Sequence, residues 1–95
     1  MTLTQLEYIV ALDTHRHFVL ASEKCFVTQP TLSMQVQKLE EELGVKIFDR
    51  TKQPVMPTAM GERIIAQARL VLREAGRIRQ LIDEEKDVMT GELRV

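Results

Sequence analysis

The chain has 95 residues, which is enough for one small domain with a modest core. Its 13 basic and 14 acidic residues leave a formal net charge of -1, a balance that neither supports nor excludes a polyanionic partner. No apolar run approaches the ~20 residues of a membrane-spanning helix, and the single cysteine excludes an internal disulfide and suits a reducing, cytoplasmic setting.

The first two predicted elements are short helices. Residues 4–13 carry the apolar stripe of an amphipathic helix, formed by Leu6, Ile9 and Val10. Thr4 followed by Glu7 predicts a capping box at the start of this helix. "THRH" at residues 14–17 interrupts the pattern. A second helix is predicted over residues 18–25, with inward-facing side chains from Phe18, Ala21 and Cys25.

A third helix is predicted between Thr28 and Gly44. Thr28 is a typical N-cap residue, and Pro30 falls in the first turn, where its missing N–H is not needed. Gly44 suits the left-handed position that ends many helices. The stripe predicted to face the core consists of Leu32, Val36 and Leu39. The outward-facing side chains are those of Thr31, Ser33, Met34, Gln35 and Lys38, and three acids at residues 40–42 close the helix.

Two interpretations fit the outward face of this third helix. One is an ordinary solvated surface. The other is a helix-turn-helix over residues 18–37, because a short link joins the last two of three helices. In that motif the N-terminal residues of the final helix enter the major groove of DNA. There Gln can bond adenine, Ser and Thr can bond base edges, and Lys can reach guanine or phosphate.

A small hairpin, or wing, is predicted after the third helix. "VKIF" at residues 45–48 alternates like a strand, and "PVMPT" at residues 54–58 can return beside it. The polar turn between them carries Arg50 and Lys52, which suit contacts with phosphate or with a narrow minor groove. A plain solvated turn is the alternative interpretation.

A long helix is predicted over residues 58–89, with Thr58 as N-cap and Glu62 in the positive first turn. Apolar residues recur along it at alternating four- and three-residue steps: Ile64, Ala68, Val71, Ala75, Ile78 and Ile82. Such a seam spans too much helix to be buried against so small a domain, so a second copy of the chain is the predicted partner. "TGELRV" at residues 90–95 alternates like the first strand of a further domain.

Four segments resemble the N-terminal region of LysR-type transcriptional regulators: "LEYIVAL", "VTQPTLSMQVQKLEEELGVKIFDRT", "PTAMG" and "TGELRV". The resemblance covers essentially the whole chain, and "HRHF", "CFVTQPTLS" and "VLRE" are most similar to peroxide-sensing members of that family. It implies a mainly α fold. Residues 1–58 would form a winged helix-turn-helix, residues 58–89 a linker helix for dimerisation, and residues 90–95 the start of a truncated effector-binding domain.

The resemblance also implies partners and site residues. The partner is double-stranded DNA, bound by a homodimer joined through the linker helix, or by a tetramer in a full-length protein. An effector or redox signal would be sensed by a domain absent here. The residues implied at the DNA are Thr28, Gln29, Pro30, Thr31, Ser33, Met34, Gln35, Lys38, Arg50 and Lys52.

Two residues depart from common patterns. Many members of the family carry a basic residue where this chain has Met34, so one phosphate contact is expected to be missing. Many helix-turn-helix units have Gly in the turn where this chain has Phe26. A left-handed conformation costs an ordinary residue ~1–2 kcal/mol, so a turn of another shape is predicted at Phe26.

Two other functions compete with DNA binding as interpretations of the sequence. A reactive role for Cys25 is disfavoured, because a lone cysteine in an apolar pattern usually packs as a small hydrophobe. His15 and His17 have no companion pair at metal-ligand spacing, and no Gly-rich phosphate loop occurs, so no enzyme, cofactor or metal is predicted. The second alternative is a winged helix used only for protein assembly. The outward face of the third helix disfavours it, because assembly has no need for those polar side chains.

Overall fold

The computed structural model describes the backbone of residues 1–94 and the side chains of residues 1–86. The elements are helices α1 (Leu3–His15), α2 (Phe18–Lys24) and α3 (Gln29–Leu43), strands β1 (Phe48–Asp49) and β2 (Met56–Pro57), and helix α4 (Ala59–Arg94). The predicted fold class, three helices with a small hairpin and a long final helix, is confirmed.

The N-cap of helix α1 lies two residues earlier than predicted. Gln5 N donates to Thr2 Oγ1 at 3.1 Å, and Thr2 N donates to Gln5 Oε1 at 3.0 Å, so these two residues form the capping box. The predicted box of Thr4 and Glu7 is wrong, because both residues lie inside the helix. Glutamine serves as well as glutamate at the third position of such a box, which makes the earlier start equally good locally.

The core is mainly aliphatic, with the rings of Tyr8 and Phe48 among its buried residues, and all the helices contribute to it. The predicted stripe of α3 is confirmed, since Leu32, Val36 and Leu39 are fully buried. Leu6 and Ile9 of α1 are buried as predicted, and Val10 packs at the edge of the core. The other buried apolar residues are Tyr8, Leu12, Ala21, Ile47, Phe48, Val55, Ile65 and Ala68.

The turn between α2 and α3 is left-handed at Phe26, where φ is 58°. Phe26 N donates to the carbonyl of Glu23 at 3.2 Å, and Val27 N donates to that of Ser22 at 3.0 Å. These two hydrogen bonds form a Schellman motif, in which the residue that follows the helix C-cap, here Phe26, is left-handed. The predicted avoidance of this conformation is therefore wrong, because satisfying the last carbonyls of α2 outweighs the local cost at Phe26.

A minimal antiparallel hairpin forms, as predicted, with Phe48 opposite Pro57 and Asp49 opposite Met56. Its strands are shorter than the predicted segments 45–48 and 54–58, and the first begins only at Phe48. Its base is fixed by Glu40 of α3, which is only 3% exposed. Glu40 Oε2 accepts from Ile47 N at 2.7 Å and from Phe48 N at 3.2 Å. Glu40 therefore does not belong to a solvated cluster with its acidic neighbours, and it anchors the wing to α3.

The start of α4 packs tightly against the segment before β1. Thr58 caps the helix as predicted: its hydroxyl oxygen accepts from Gly61 N at 2.9 Å, and the hydroxyl donates to the carbonyl of Lys46 at 2.7 Å. A Cβ placed on Gly61 would lie 1.9 Å from the carbonyl oxygen of Ile47. Only glycine permits this approach of helix and chain.

The predicted seam of α4 divides into two parts. Ala68 is buried in the core, and Ile64 and Val71 pack against it, together with Ile65 on the neighbouring stripe. The prediction that the whole seam lacks a partner within the chain is wrong, because α1 covers its first half. The second half is open, with Ile78 64% and Ile82 50% exposed and Ala75 half-buried between the two parts.

Helix α4 continues to Arg94. The predicted strand at residues 90–95 is therefore wrong over residues 90–94, and Val95 lies outside the described residues. A helix satisfies its backbone hydrogen bonds locally, whereas a strand needs a neighbouring strand. The assignment of residues 90–95 to a further domain stays a prediction. No helix of the described chain is both long and apolar enough to cross a membrane.

Candidate nucleic-acid interface

The N-terminus of α3 presents a polar, ordered surface. Thr28, Gln29 and Pro30 are exposed, and Thr31 is half-buried behind them. The oxygen of Thr28 accepts from Thr31 N at 3.3 Å, and its hydroxyl donates to Thr31 Oγ1 at 2.8 Å, so both hydroxyls are held in place. The first turn of α3 contains no acidic residue. The positive end of the helix dipole is therefore not neutralised within the helix, which favours an anionic partner.

One turn further along α3, Gln35 is held by helix α1. Gln5 Nε2 donates to Gln35 Oε1 at 3.1 Å. The amide nitrogen of Gln35 keeps its capacity to donate, and its direction is set because the oxygen is engaged. Gln5 was missed by sequence reasoning. The only signal was its place in the Thr2 capping box, which marks it as an ordered side chain near the helix start.

Arg50 was predicted to project from the wing tip, but in the structure it lies against the helices. Its Nη1 donates to Ser33 Oγ at 3.3 Å, its Nη2 lies 3.5 Å from Glu40 Oε1, and its guanidinium carbon lies 5.3 Å from the ring centre of Phe18. A buried carboxylate and an aromatic face both attract a guanidinium. The structure therefore joins Arg50 to Ser33 on α3.

The remaining predicted residues are solvent-accessible. Met34 is 48% exposed, and Lys38 is exposed one turn further along α3. Lys52 is exposed in the wing turn, away from the contacts that hold Arg50. The structure thus brings the predicted α3 residues and Arg50 into one region, while Lys52 lies in the turn of the hairpin beside it. The predicted dimer residues lie on α4, outside this region.

These elements form a helix-turn-helix followed by a wing, and residues 3–62 match the family described as "Bacterial regulatory helix-turn-helix protein, lysR family". The chain belongs to the lysR family. The sequence-based assignment to this family is confirmed, and so is the prediction of a regulatory protein instead of an enzyme.

Curated relatives extend the lysR-family match over the whole chain. The chain is 44% identical to the "DNA-binding transcriptional dual regulator OxyR" of Escherichia coli K12, over all 95 residues and 31% of that protein. It is equally similar to a "Hydrogen peroxide-inducible genes activator" of Pectobacterium carotovorum, at 44% identity over 32% of that protein. The chain therefore spans about a third of the length of the curated relatives it matches.

Solved structures of the same family superpose closely. A full-length OxyR variant from Pseudomonas aeruginosa aligns with a TM-score of 0.84 and 55% identity, covering 88% of this chain and 28% of that one. A structure described as the BenM_DBD/benA site 1 DNA complex aligns with a TM-score of 0.85 and 33% identity, covering 88% of this chain and 94% of that one.

Two ionisable groups near the interface of this lysR-family chain have shifted pKa values. Burial raises the pKa of the Cys25 thiol, and the Glu7 carboxylate raises it further. Cys25 therefore stays protonated at neutral pH, as expected of a packing residue. In the wing turn, hydrogen bonds from the hydroxyl and backbone N–H of Thr51 lower the pKa of Asp49. Among the side chains described, none form a cluster able to hold a metal ion.

Proposed function

We propose that this chain is the sequence-specific DNA-binding part of a LysR-type regulator. Helix α3 enters the major groove of double-stranded DNA, and the wing lies along the adjacent backbone and minor groove. The observation that carries this proposal is the ordered polar N-terminus of α3, with no acidic residue in its first turn. The similarity to a BenM_DBD/DNA complex, at 33% identity and a TM-score of 0.85, supports DNA binding by this fold.

Base readout falls mainly to the exposed and well-oriented side chains of α3. Gln29 is exposed at the first helical position, and Gln35 presents an amide nitrogen fixed by Gln5. Amide side chains pair with adenine edges, and hydroxyls such as those of Thr31 and Ser33 bond several bases. Thr28, Pro30 and Met34 line the same face, while Lys38 reaches phosphate or guanine.

The two wing bases act differently in this proposal. Lys52 is exposed, so its ammonium is available to phosphate. Arg50 is engaged by Ser33, Glu40 and Phe18, and it positions α3 relative to the wing. The Arg50 side chain is 35% exposed, so an approaching phosphate or narrow minor groove competes with these contacts for its guanidinium.

Dimerisation uses the part of α4 that the domain leaves uncovered. Ile78, Leu81 and Ile82 are each at least half exposed. Nearer the domain, an apolar cavity of about 200 Å³ opens beside α4, lined by Met1, Leu6, Leu43, Ile64, Gln67, Ala68 and Val71. A second α4 laid along this stripe buries both features, which supports a homodimer. In this proposal, dimers pair into a tetramer only in a full-length protein.

The signal that controls binding is proposed from the relatives. Those named as hydrogen peroxide-inducible activators are 42–44% identical to this chain over its full length. We therefore propose a peroxide-responsive, OxyR-like regulator acting in the cytoplasm, with sensing performed outside residues 1–94.

Selection of bound duplexes from a random DNA pool tests the proposal. A dimeric reader selects an inverted repeat, because operator symmetry mirrors protein symmetry. Enrichment of a single unpaired site would contradict the dimer. No enrichment, with the chain dimeric in solution, would favour the alternative of a protein-assembly module.

A further inference from the structure

Phe26 combines two unfavourable features in one residue. Its side chain is 93% exposed, more than that of any other large apolar residue described. Its backbone is left-handed, with φ at 58°, a conformation that Asn or Gly adopts more readily. Single exposed apolar residues are common on protein surfaces, but this ring adds nothing to the core and occupies a position suited to smaller residues.

The location of Phe26 suggests what the ring contacts. It lies two residues before Thr28, the N-cap of α3, in the turn that leads into the proposed reading helix. Lys24 is exposed on the other side of the turn. When the N-terminus of a recognition helix enters the major groove, the preceding helix crosses the DNA backbone. The turn between them then lies at the edge of the groove, next to sugars and phosphates.

We propose that Phe26 is a DNA-contact residue whose ring packs on a deoxyribose at the edge of the major groove. The assignment rests on the proposed DNA-binding function and adds an apolar anchor to it. A phenyl ring has no hydrogen-bonding group, so it cannot read base edges as Gln29 can. A deoxyribose offers the ring of Phe26 an apolar surface, and in the proposed complex Lys24 contacts a phosphate of the same stretch of DNA backbone.

The chain offers variants that separate the ring from the backbone conformation. Phe26→Asn and Phe26→Gly both remove the ring and both accept a left-handed φ. Phe26→Tyr keeps the ring. Leu3→Ala removes an exposed apolar side chain at the start of α1, two residues after Met1, whose ammonium pairs with Glu42 near the C-terminal end of α3 at 2.6 Å.

The experiment titrates each protein against a selected duplex and a scrambled one at several salt concentrations. Loss of the ring is expected to weaken binding to both duplexes by about threefold to tenfold, the effect of removing a few tens of Å² of apolar contact. The dependence of affinity on salt should not change, because no phosphate contact is lost. The melting temperature of Phe26→Asn should equal or exceed that of the parent, and Phe26→Tyr and Leu3→Ala should bind normally.

Two results would overturn the contact alone. Ring-less variants that bind both duplexes as tightly as the parent would leave Phe26 without a role at the DNA. A loss confined to the selected duplex would make Phe26 a base contact, not a sugar contact. If the unaltered chain bound neither duplex, the proposed function would fail, and this contact with it.

Discussion

The carboxylate of Glu40 joins three parts of the proposed interface. It accepts two backbone N–H groups from the start of the wing, at Ile47 and Phe48, and it lies 3.5 Å from the guanidinium of Arg50. Because the carboxylate is buried, its removal would leave two buried donors without a partner. One glutamate therefore fixes the distance between α3 and the wing.

Glu40→Ala should lower the free energy of unfolding by about 2–4 kcal/mol, the usual consequence of stranding buried polar groups. Urea denaturation followed by circular dichroism measures this. Glu41→Ala is the matched control, since Glu41 is an exposed neighbour whose loss should change stability by less than about 0.5 kcal/mol. Equal effects of the two substitutions would contradict the anchoring role.

Gln29 is expected to read one base pair in each half-site. Gln29→Ala should weaken binding to the selected site by about 1–3 kcal/mol and relax preference at that base pair. Because Gln29 is exposed, the melting temperature should not change. Titration of all four base pairs at each position identifies the pair involved. An equal loss on random DNA would instead make Gln29 a positioning contact.

At the scale of the elements, the two wing bases should be distinguishable. Lys52→Ala should reduce the slope of log affinity against log salt by about one phosphate, without changing stability. Arg50→Ala should lower the free energy of unfolding by about 0.5–1.5 kcal/mol, because it removes the partner of Glu40 and the contact with the Phe18 ring. Lys52 serves as the control for Arg50. If Arg50→Ala altered only the salt slope, the cluster with Ser33 would not persist in solution.

The exposed half of α4 should carry the dimer contact. Ile78→Glu places a charge in the apolar stripe and should yield monomers by sedimentation. Gln80→Glu introduces the same side chain at an exposed position off the stripe, and this control should remain dimeric. Monomeric parent protein, or an unaltered Ile78→Glu dimer, would contradict the interpretation of the seam.

Elements defined by neighbouring residues were predictable from sequence. The apolar stripe of α3, its caps at Thr28 and Gly44, and the cap of α4 at Thr58 depend on residues a few positions apart. The start of α1 was placed wrongly because two capping boxes were locally possible there. Phe26 was misjudged because its left-handed turn is favoured by hydrogen bonds to carbonyls of α2, which composition does not reveal.

Contacts between distant residues were not predictable. Arg50 with Ser33 and Gln5 with Gln35 depend on how the helices cross, which no local pattern encodes. The partner of the apolar seam on α4 was unpredictable for the same reason. Its spacing from Ile64 onward is identical whether the covering helix is α1 of the same chain or α4 of another.

At the scale of the whole molecule, the predicted helix-turn-helix and wing of residues 1–58, called the reading unit below, share one core with the first turns of α4. Ile65 and Ala68 are each 3% exposed, and Arg69 pairs with Asp13 of α1 at 2.9 Å. The predicted boundary at residue 58 therefore cuts through packed side chains. It does not separate two independently packed cores, and the division of functions at this residue stays a prediction.

A fragment of residues 1–58 should consequently be unfolded, because it lacks the apolar surface that closes the core. A fragment of residues 1–73 retains that surface and should unfold cooperatively. Thermal denaturation followed by circular dichroism compares the two. A cooperative transition in the shorter fragment would contradict the shared core.

The molecule is 61 Å long and only 24 Å across, and most of that length is the projecting end of α4. The near end of α4 is packed against the reading unit at Gly61 and Ile65. Ile78 lies about 25 Å along the helix from Gly61 at 1.5 Å per residue. If a second α4 packs at Ile78, a change of about 8° in the angle between the two helices would move the reading unit by about 3.5 Å. This distance is roughly one nucleotide step along a DNA strand. In the proposed dimer, the angle between the two α4 helices would therefore set the spacing of the two half-sites.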